Sequence, residues 1–293
     1  MELLNLAAAF GGGMLGAAIG PLASFIVCGI AAIAGGAVSL MGGGELISTH
    51  IAFGSFLGPH IAFAGGAAAS AFAARRGKLS SGMDIITPIN KIGDPLVLIV
   101  GGAFGLLGAL FSLFYTKVCH LGGDISPLLS TDVCALSVVS VGVAARLIIG
   151  KSGLFGKYPA GERRRFVSPK KRLFFNAVMG MGFGLCASGV GLYLKSLGVD
   201  VSGYPALCFG IGAAGLILMQ FGHEYPVCHH ILLPAALCAL SSGSIVFGTI
   251  CGGVCAVFGD FILNTFNTHA DSHIDAPAFT LFVMTSLVHV IWG

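Results

Sequence analysis

Apolar stretches long enough to cross a hydrocarbon layer recur from one end of this sequence to the other, joined by loops too short to form a soluble domain. Segments such as 22–41 and 95–117 reach the roughly 20 apolar residues that span a bilayer. Only 9% of the residues are charged and 56% are hydrophobic, whereas a soluble domain carries about 25% charged residues. Too little polar surface remains to face water. The chain is expected to be an all-α integral membrane protein, with the lipid bilayer as its first partner. Its 46 glycines fit that setting, because small residues let lipid-embedded helices approach closely.

With Gly, Pro and charge as punctuation, hydropathy predicts ten helices, at about 3–19, 22–41, 47–74, 95–117 and 130–149, then 173–195, 204–221, 229–243, 245–266 and 278–292. The third contains Gly54, Gly58-Pro59 and His60, which predicts a break in mid-membrane. Segment 79–95 is half apolar, so it either lies on the surface or re-enters. The organisation read from this is a membrane unit at 1–150, a basic linker at 151–172 and a second membrane unit at 173–293.

Of the 15 basic residues, Arg75, Arg76, Lys78 and Lys91 fall in one loop, and Lys151, Lys157, Arg163, Arg164, Arg165, Lys170, Lys171 and Arg172 fall in another. Basic loops stay on the cytoplasmic side. Loops 75–94 and 151–172 are therefore expected in the cytoplasm of a prokaryotic cell whose plasma membrane holds the chain, with both termini outside. Topology accounts for these charges, so a nucleic-acid partner is not expected. The start, Met-Glu-Leu-Leu-Asn, lacks a basic n-region and a small-residue cleavage site, so no cleaved signal peptide is expected. The nine cysteines sit singly in apolar segments, as buried small hydrophobes rather than a disulfide framework.

An internal duplication is suggested by three matches in order. Glu45-x4-His50 is repeated as Glu224-x4-His229. Gly102 and Pro127 recur as Gly252 and Pro277. His120 with Asp124 is echoed by His269 with Asp275. Five helices is an odd number, so a second copy enters from the opposite side and the repeats are inverted. That architecture is shared by many secondary transporters, which bind substrate near the midplane where helices break.

The polar residues of the apolar segments supply the candidate site. A carboxylate in hydrocarbon costs several kcal/mol unless neutralised, paired or wetted. Glu45, His50 and His60, with Glu224, His229 and His230, read as two half-sites or gates. Asp260, Asn264 and Asn267 fall on one helical face and read as a pathway lining. His269, Asp271, His273 and Asp275 alternate along the chain and would share a face in an extended segment, a spacing that suits a metal ion. A solvated loop whose last Asp caps the next helix explains the same residues.

The expected function is a secondary transporter for a small cation or a proton-coupled polar solute, alternating between inverted repeats. The polar groups allow a monovalent or divalent cation as ligand, and a homo-oligomer is compatible with the sequence. Two alternatives stand beside it: an ion channel or membrane subunit of an ion-translocating complex, and a metal-dependent intramembrane enzyme that would use the His269–Asp275 segment.

Overall fold

The computed structural model describes residues 2–121 and 130–293, so Asp124 and Pro127 lie outside the described residues. All regular structure among the described residues is helical. In chain order the helices are α1 (Glu2–Ile19), α2 (Pro21–Leu40), α3 (Ala62–Arg75), α4 (Pro95–Leu113), α5 (Val133–Ile148), α6 (Lys170–Ser196), α7 (Tyr204–Ala214), the short α8 (Ile217–Gln220), α9 (His229–Ser242), α10 (Ile245–Phe266) and α11 (Ala276–Trp292). Four carry a proline in the first turn, where the missing N–H is one no helix bond needs: α2, α4, α7 and α11.

The span expected at 47–74 is divided, as its glycines and proline predict. A π-helical turn over Ser48–Ala52 gives way to irregular chain, and α3 begins only at Ala62. The span expected at 204–221 is also divided, between α7 and α8, which the sequence does not signal with a proline or charge. Segment 79–95 is turns and a short 3-10 helix at Ile89–Lys91. Among the described residues four helical stretches can cross a membrane by length and composition, Pro21–Leu40, Pro95–Val118, Lys170–Ser196 and Ile245–Phe266, the second including the π-helical turn that extends α4. The other apolar helices are shorter.

Each half packs by the same scheme. α1 lies against α3 and α4, which also touch each other; α6 lies against α9 and α10, which also touch each other. α2 reaches α3 as α7 reaches α9, and α5 touches α3 and α4 as α11 touches α9 and α10. The halves meet along two seams, α2 on α7 and α5 on α11. Both seams run antiparallel. Gly36 of α2 abuts Gly203 and Leu207 while Gly29 abuts Ala213. At the other seam Thr131 donates to the Phe282 carbonyl (2.8 Å) and the Asp132 N–H donates to Thr285 Oγ1 (3.1 Å), while Gly142 abuts Ile274.

Both basic loops sit on one face of the bundle. The Leu22 N–H donates to the Ile85 carbonyl, Arg75 donates to the Ile149 carbonyl, and Lys157 N–H donates to the His269 carbonyl. At the far face Ser39 lies beside Ser202 (3.4 Å). Between the faces the outer surface is apolar: Phe174, Val178, Met181 and Leu185 of α6 and Phe247, Ile250 and Val254 of α10 are exposed. So continuous an apolar surface suits lipid, not water.

Glycine sets the closest crossings. A Cβ on Gly13 would overlap the Gly101 carbonyl, and one on Gly252 would overlap the Gly180 carbonyl, so α1/α4 and α6/α10 pack backbone to backbone. Gly11 and Gly182, in the same helices, have nothing within reach of a Cβ. Gly252→Val is expected to lower the thermal midpoint of the detergent-solubilised protein, since overpacking costs about 1–3 kcal/mol. Gly182→Ala is expected to leave it unchanged or raised, because Ala favours a helix over Gly by about 1 kcal/mol.

Candidate functional site

Four helices begin inside the bundle. α3 and α9 start at the ends of their irregular lead-in segments, and α5 and α11 cross so that each N-terminus lies beside the middle of the other. α5 is capped by Asp132, whose carboxylate accepts from Ala135 N–H (2.8 Å), and α11 by Asp275, which accepts from Ala278 N–H (2.6 Å). The two carboxylates line one narrow central cavity of about 20 Å³, the size that holds about one water. An N-cap contributes about 1 kcal/mol, whereas a membrane-embedded carboxylate costs several. Capping alone does not account for two of them.

The cavity wall is aromatic. Phe25 of α2 and Phe209 of α7 meet edge to face (5.5 Å), Phe63 of α3 packs on Phe25 (5.5 Å), and the His229 ring of α9 packs on Phe25 (4.8 Å). Beside Asp132, the buried His60 places Nδ1 3.1 Å from Cys134 Sγ. Beside Asp275, His273 Nε2 stands 3.2 Å from its carboxylate. His229 and His230 are both buried, and Nδ1 of neither has a hydrogen-bond partner among the described residues.

Two further pockets flank the central cavity. One, about 160 Å³, opens toward the far face between the start of α1 and the end of α4, lined by Asn5, Ser55, His60 and Ser112. The other, about 360 Å³, opens toward the basic face between the start of α6 and the end of α10, lined by Ser168, Arg172, Asn176, His230 and Asp260. Asp260 accepts from Ser168 N–H (2.8 Å), Ser168 Oγ (2.6 Å) and Asn176 Nδ2 (3.3 Å).

The sequence candidates are therefore distributed. His60, His229, His230, Asp260 and Asp275 gather along the axis of these three spaces. Glu45 is exposed past the far-face end of α2, His50 is exposed where the π-helical turn runs back alongside α2 between the levels of Gly35 and Cys28, and Glu224 is exposed beyond α8 at the opposite end of the α2–α7 seam, so the two glutamates do not meet. Asn264 donates to the Asp260 carbonyl of its own helix, and Asn267 exchanges two hydrogen bonds with the Ile274 backbone.

The His269–Asp275 run fans out rather than converging. His269, at φ 54, turns toward Glu162 (3.3 Å), Asp271 accepts from Ser152 N–H (3.0 Å) and Oγ (2.6 Å), and His273 faces Asp275. Among the described residues no three His, Cys, Asp or Glu side chains group to hold a metal ion. Partial burial works against the Asp271 charge, but Ser152, the Lys151 and Ser152 N–H groups and Arg146 hold its carboxyl below the usual range. The residue that sequence reasoning missed is Asp132. Its signal was Thr131-Asp132 ahead of an apolar helix, matched by Ile274-Asp275 ahead of another.

Arg146, fully buried near the end of α5, ties that end to its surroundings. It donates to the Leu154 carbonyl (3.0 Å), the Phe266 carbonyl (2.9 Å) and Ser272 Oγ (2.6 Å). Lysine cannot reproduce the planar fork. Arg146→Lys is expected to destabilise the solubilised protein by on the order of 2–4 kcal/mol, since buried acceptors lose their donors, read as a fall in thermal midpoint.

Neither a curated protein nor a solved structure matches the chain. A family model, described as a family of unknown function (DUF7973), matches residues 1–169 and 177–292. The chain belongs to the DUF7973 family.

Proposed function

We propose that this protein is a secondary membrane transporter for a small cation or a proton-coupled polar solute, built as two inverted five-helix repeats that alternate access to a site at their junction. The observation that carries this reading is the central cavity between the α2–α7 and α5–α11 seams, with a carboxylate on each of two antiparallel helix N-termini. Helix starts in mid-bundle are where transporters bind ions and solutes. Protonation or cation binding would neutralise the acids and lower the cost of enclosing them in a dry intermediate.

The shared packing scheme of the halves and the antiparallel run of their seams favour inverted repeats. So does a backbone detail: the non-glycine residues with positive φ among the described residues are His120 (53°) and His269 (54°), each just past the end of α4 or α10. A left-handed histidine is uncommon, and its recurrence at matching places argues for one ancestral turn used twice. In this reading Glu45 and Glu224 lie at the two mouths, His50 flanks α2 inside the first of them, and Asp260 with Asn176 polarises the mouth on the basic face. Asn264 and Asn267 shape the end of α10 rather than the path itself. The basic face is cytoplasmic by the charge rule, and the lipid bilayer is the medium, with no nucleic acid and with self-association compatible with the apolar exterior.

The test is uptake into liposomes of purified protein, with sodium, rubidium, methylammonium and protonatable polar solutes offered under ion and pH gradients. Saturable uptake of at least one is expected, reduced at least tenfold by Asp132→Asn combined with Asp275→Asn. Uptake no greater than in protein-free vesicles, or uptake undiminished in that variant, contradicts the reading.

A further inference from the structure

We infer that protons cross this protein through a histidine relay that links its two lateral pockets by way of the central cavity, so that the proton is the coupling ion of the transporter. The inference rests on the transport reading above and narrows it. Its basis is an order of groups that leads from one lateral pocket to the other through the shared lining of the central cavity. His60 lines the far-face pocket and contacts Cys134 (3.1 Å), and Cys134 and Asp132 line the central cavity. At the other side of that cavity stands His229, whose ring centre is 5.6 Å from that of His230, and His230 lines the pocket toward the basic face.

Size decides what can pass. About 20 Å³ holds about one water, which suffices for a water that accepts and donates protons between Asp132, Asp275 and His229, whereas a hydrated cation or a polar solute enters only when the junction widens. The buried Nδ1 atoms of His229 and His230 lack partners among the described residues, which is costly for a group whose only duty is packing, and a water between the rings would engage both. An imidazole takes a proton at one nitrogen and releases one from the other, then exchanges tautomers, and the Cys134 thiol accepts at sulfur as it gives up its own proton; no bond other than N–H, O–H and S–H is made or broken. The solute would occupy the wider lateral pockets of about 160 and 360 Å³ in turn.

The groups that face the relay fit this order. Cys134 and Asp132 of α5 stand at its His60 end, Asp275 of α11 at His229, and Gly259 and Asp260 of α10 with Arg172 of α6 at His230. Among the described residues α2 offers Phe25 and the buried thiol of Cys28, α3 offers Phe63 and α7 offers Phe209, while His273 stands behind Asp275. The carboxylates thus mark the ends of the narrow part, and the aromatic rings keep bulk water out of it.

The experiment uses the full chain in liposomes that trap a pH-sensitive dye, with the potential clamped by valinomycin and equal potassium, and the outside pH lowered by one unit. Wild-type vesicles are expected to acidify at least tenfold faster than protein-free ones. His229→Gln and His60→Gln, checked for folding by gel filtration, are expected to fall to within twofold of protein-free vesicles, and added imidazole is expected to restore flux to His229→Ala, a rescue that a purely structural histidine would not give. Wild-type acidification equal to that of protein-free vesicles overturns the relay, whatever the variants do, as do variants that conduct like wild type. Sodium and rubidium uptake in the same vesicles separates the two claims: cation uptake without proton flux overturns the relay and leaves the transporter, whereas absence of both removes both.

Discussion

Two helices that begin in the middle of a bundle with an apolar exterior, each against the flank of the other, set the terms for everything around them. The N-termini of α5 and α11 carry free N–H groups and partial positive charge, and Asp132 and Asp275 satisfy them. Once the acids are there, the bundle has to wall them from lipid. It does so with α2, α3, α7 and α9, whose Phe25, Phe63, Phe209 and His229 form the aromatic wall. The glycine crossings of α1 with α4 and α6 with α10 then brace this central group from either side, close enough that no side chain fits between the backbones. The polar centre and the tight glycine packing are parts of one solution to enclosing charge in an apolar solvent.

Charge is sorted as strictly at the surface. Arg146 closes the basic end of α5 from within, and the loops on that face carry nearly all the other basic residues, while Lys117 and Lys195 belong to the far face. Asp94 on the basic face is paired with Lys78 and Arg76 and held low in pKa chiefly by the Lys78 hydrogen bond. Charges that do not serve the centre are thus kept at loops where water screens them.

Much of the helical plan was legible because spanning a bilayer fixes the length of an apolar run, and glycine and proline mark where runs stop. The break before α3 was written as Gly58-Pro59; the one between α7 and α8 had no such mark. The site was legible only in part. His60, His229, His230 and Asp260 stood out as polar groups in apolar sequence, and the structure places them along one axis. Asp132 did not, because an aspartate ahead of an apolar helix reads as an ordinary cap until the crossing with α11 carries it inward. The alternating His269–Asp275 run misled in the other direction: an extended strand would have aligned the four side chains, but the left-handed turn at His269 sends them to different partners. Glu45 and Glu224, the most conspicuous pair in the sequence, lie at opposite ends of the α2–α7 seam because that seam is antiparallel.

The most direct measurement of whether the halves are inverted around a two-sided site is the accessibility of single reporter cysteines in the lateral pockets. Ser55→Cys marks the far-face pocket and Leu263→Cys the pocket toward the basic face, each in a background where the native cysteines are replaced. With a membrane-impermeant maleimide added to one side of oriented vesicles, the expected result is that position 263 labels from the side that also labels Arg163→Cys, and position 55 only from the other. Labelling of both positions from the same side would contradict the inverted arrangement and the site placed at its junction.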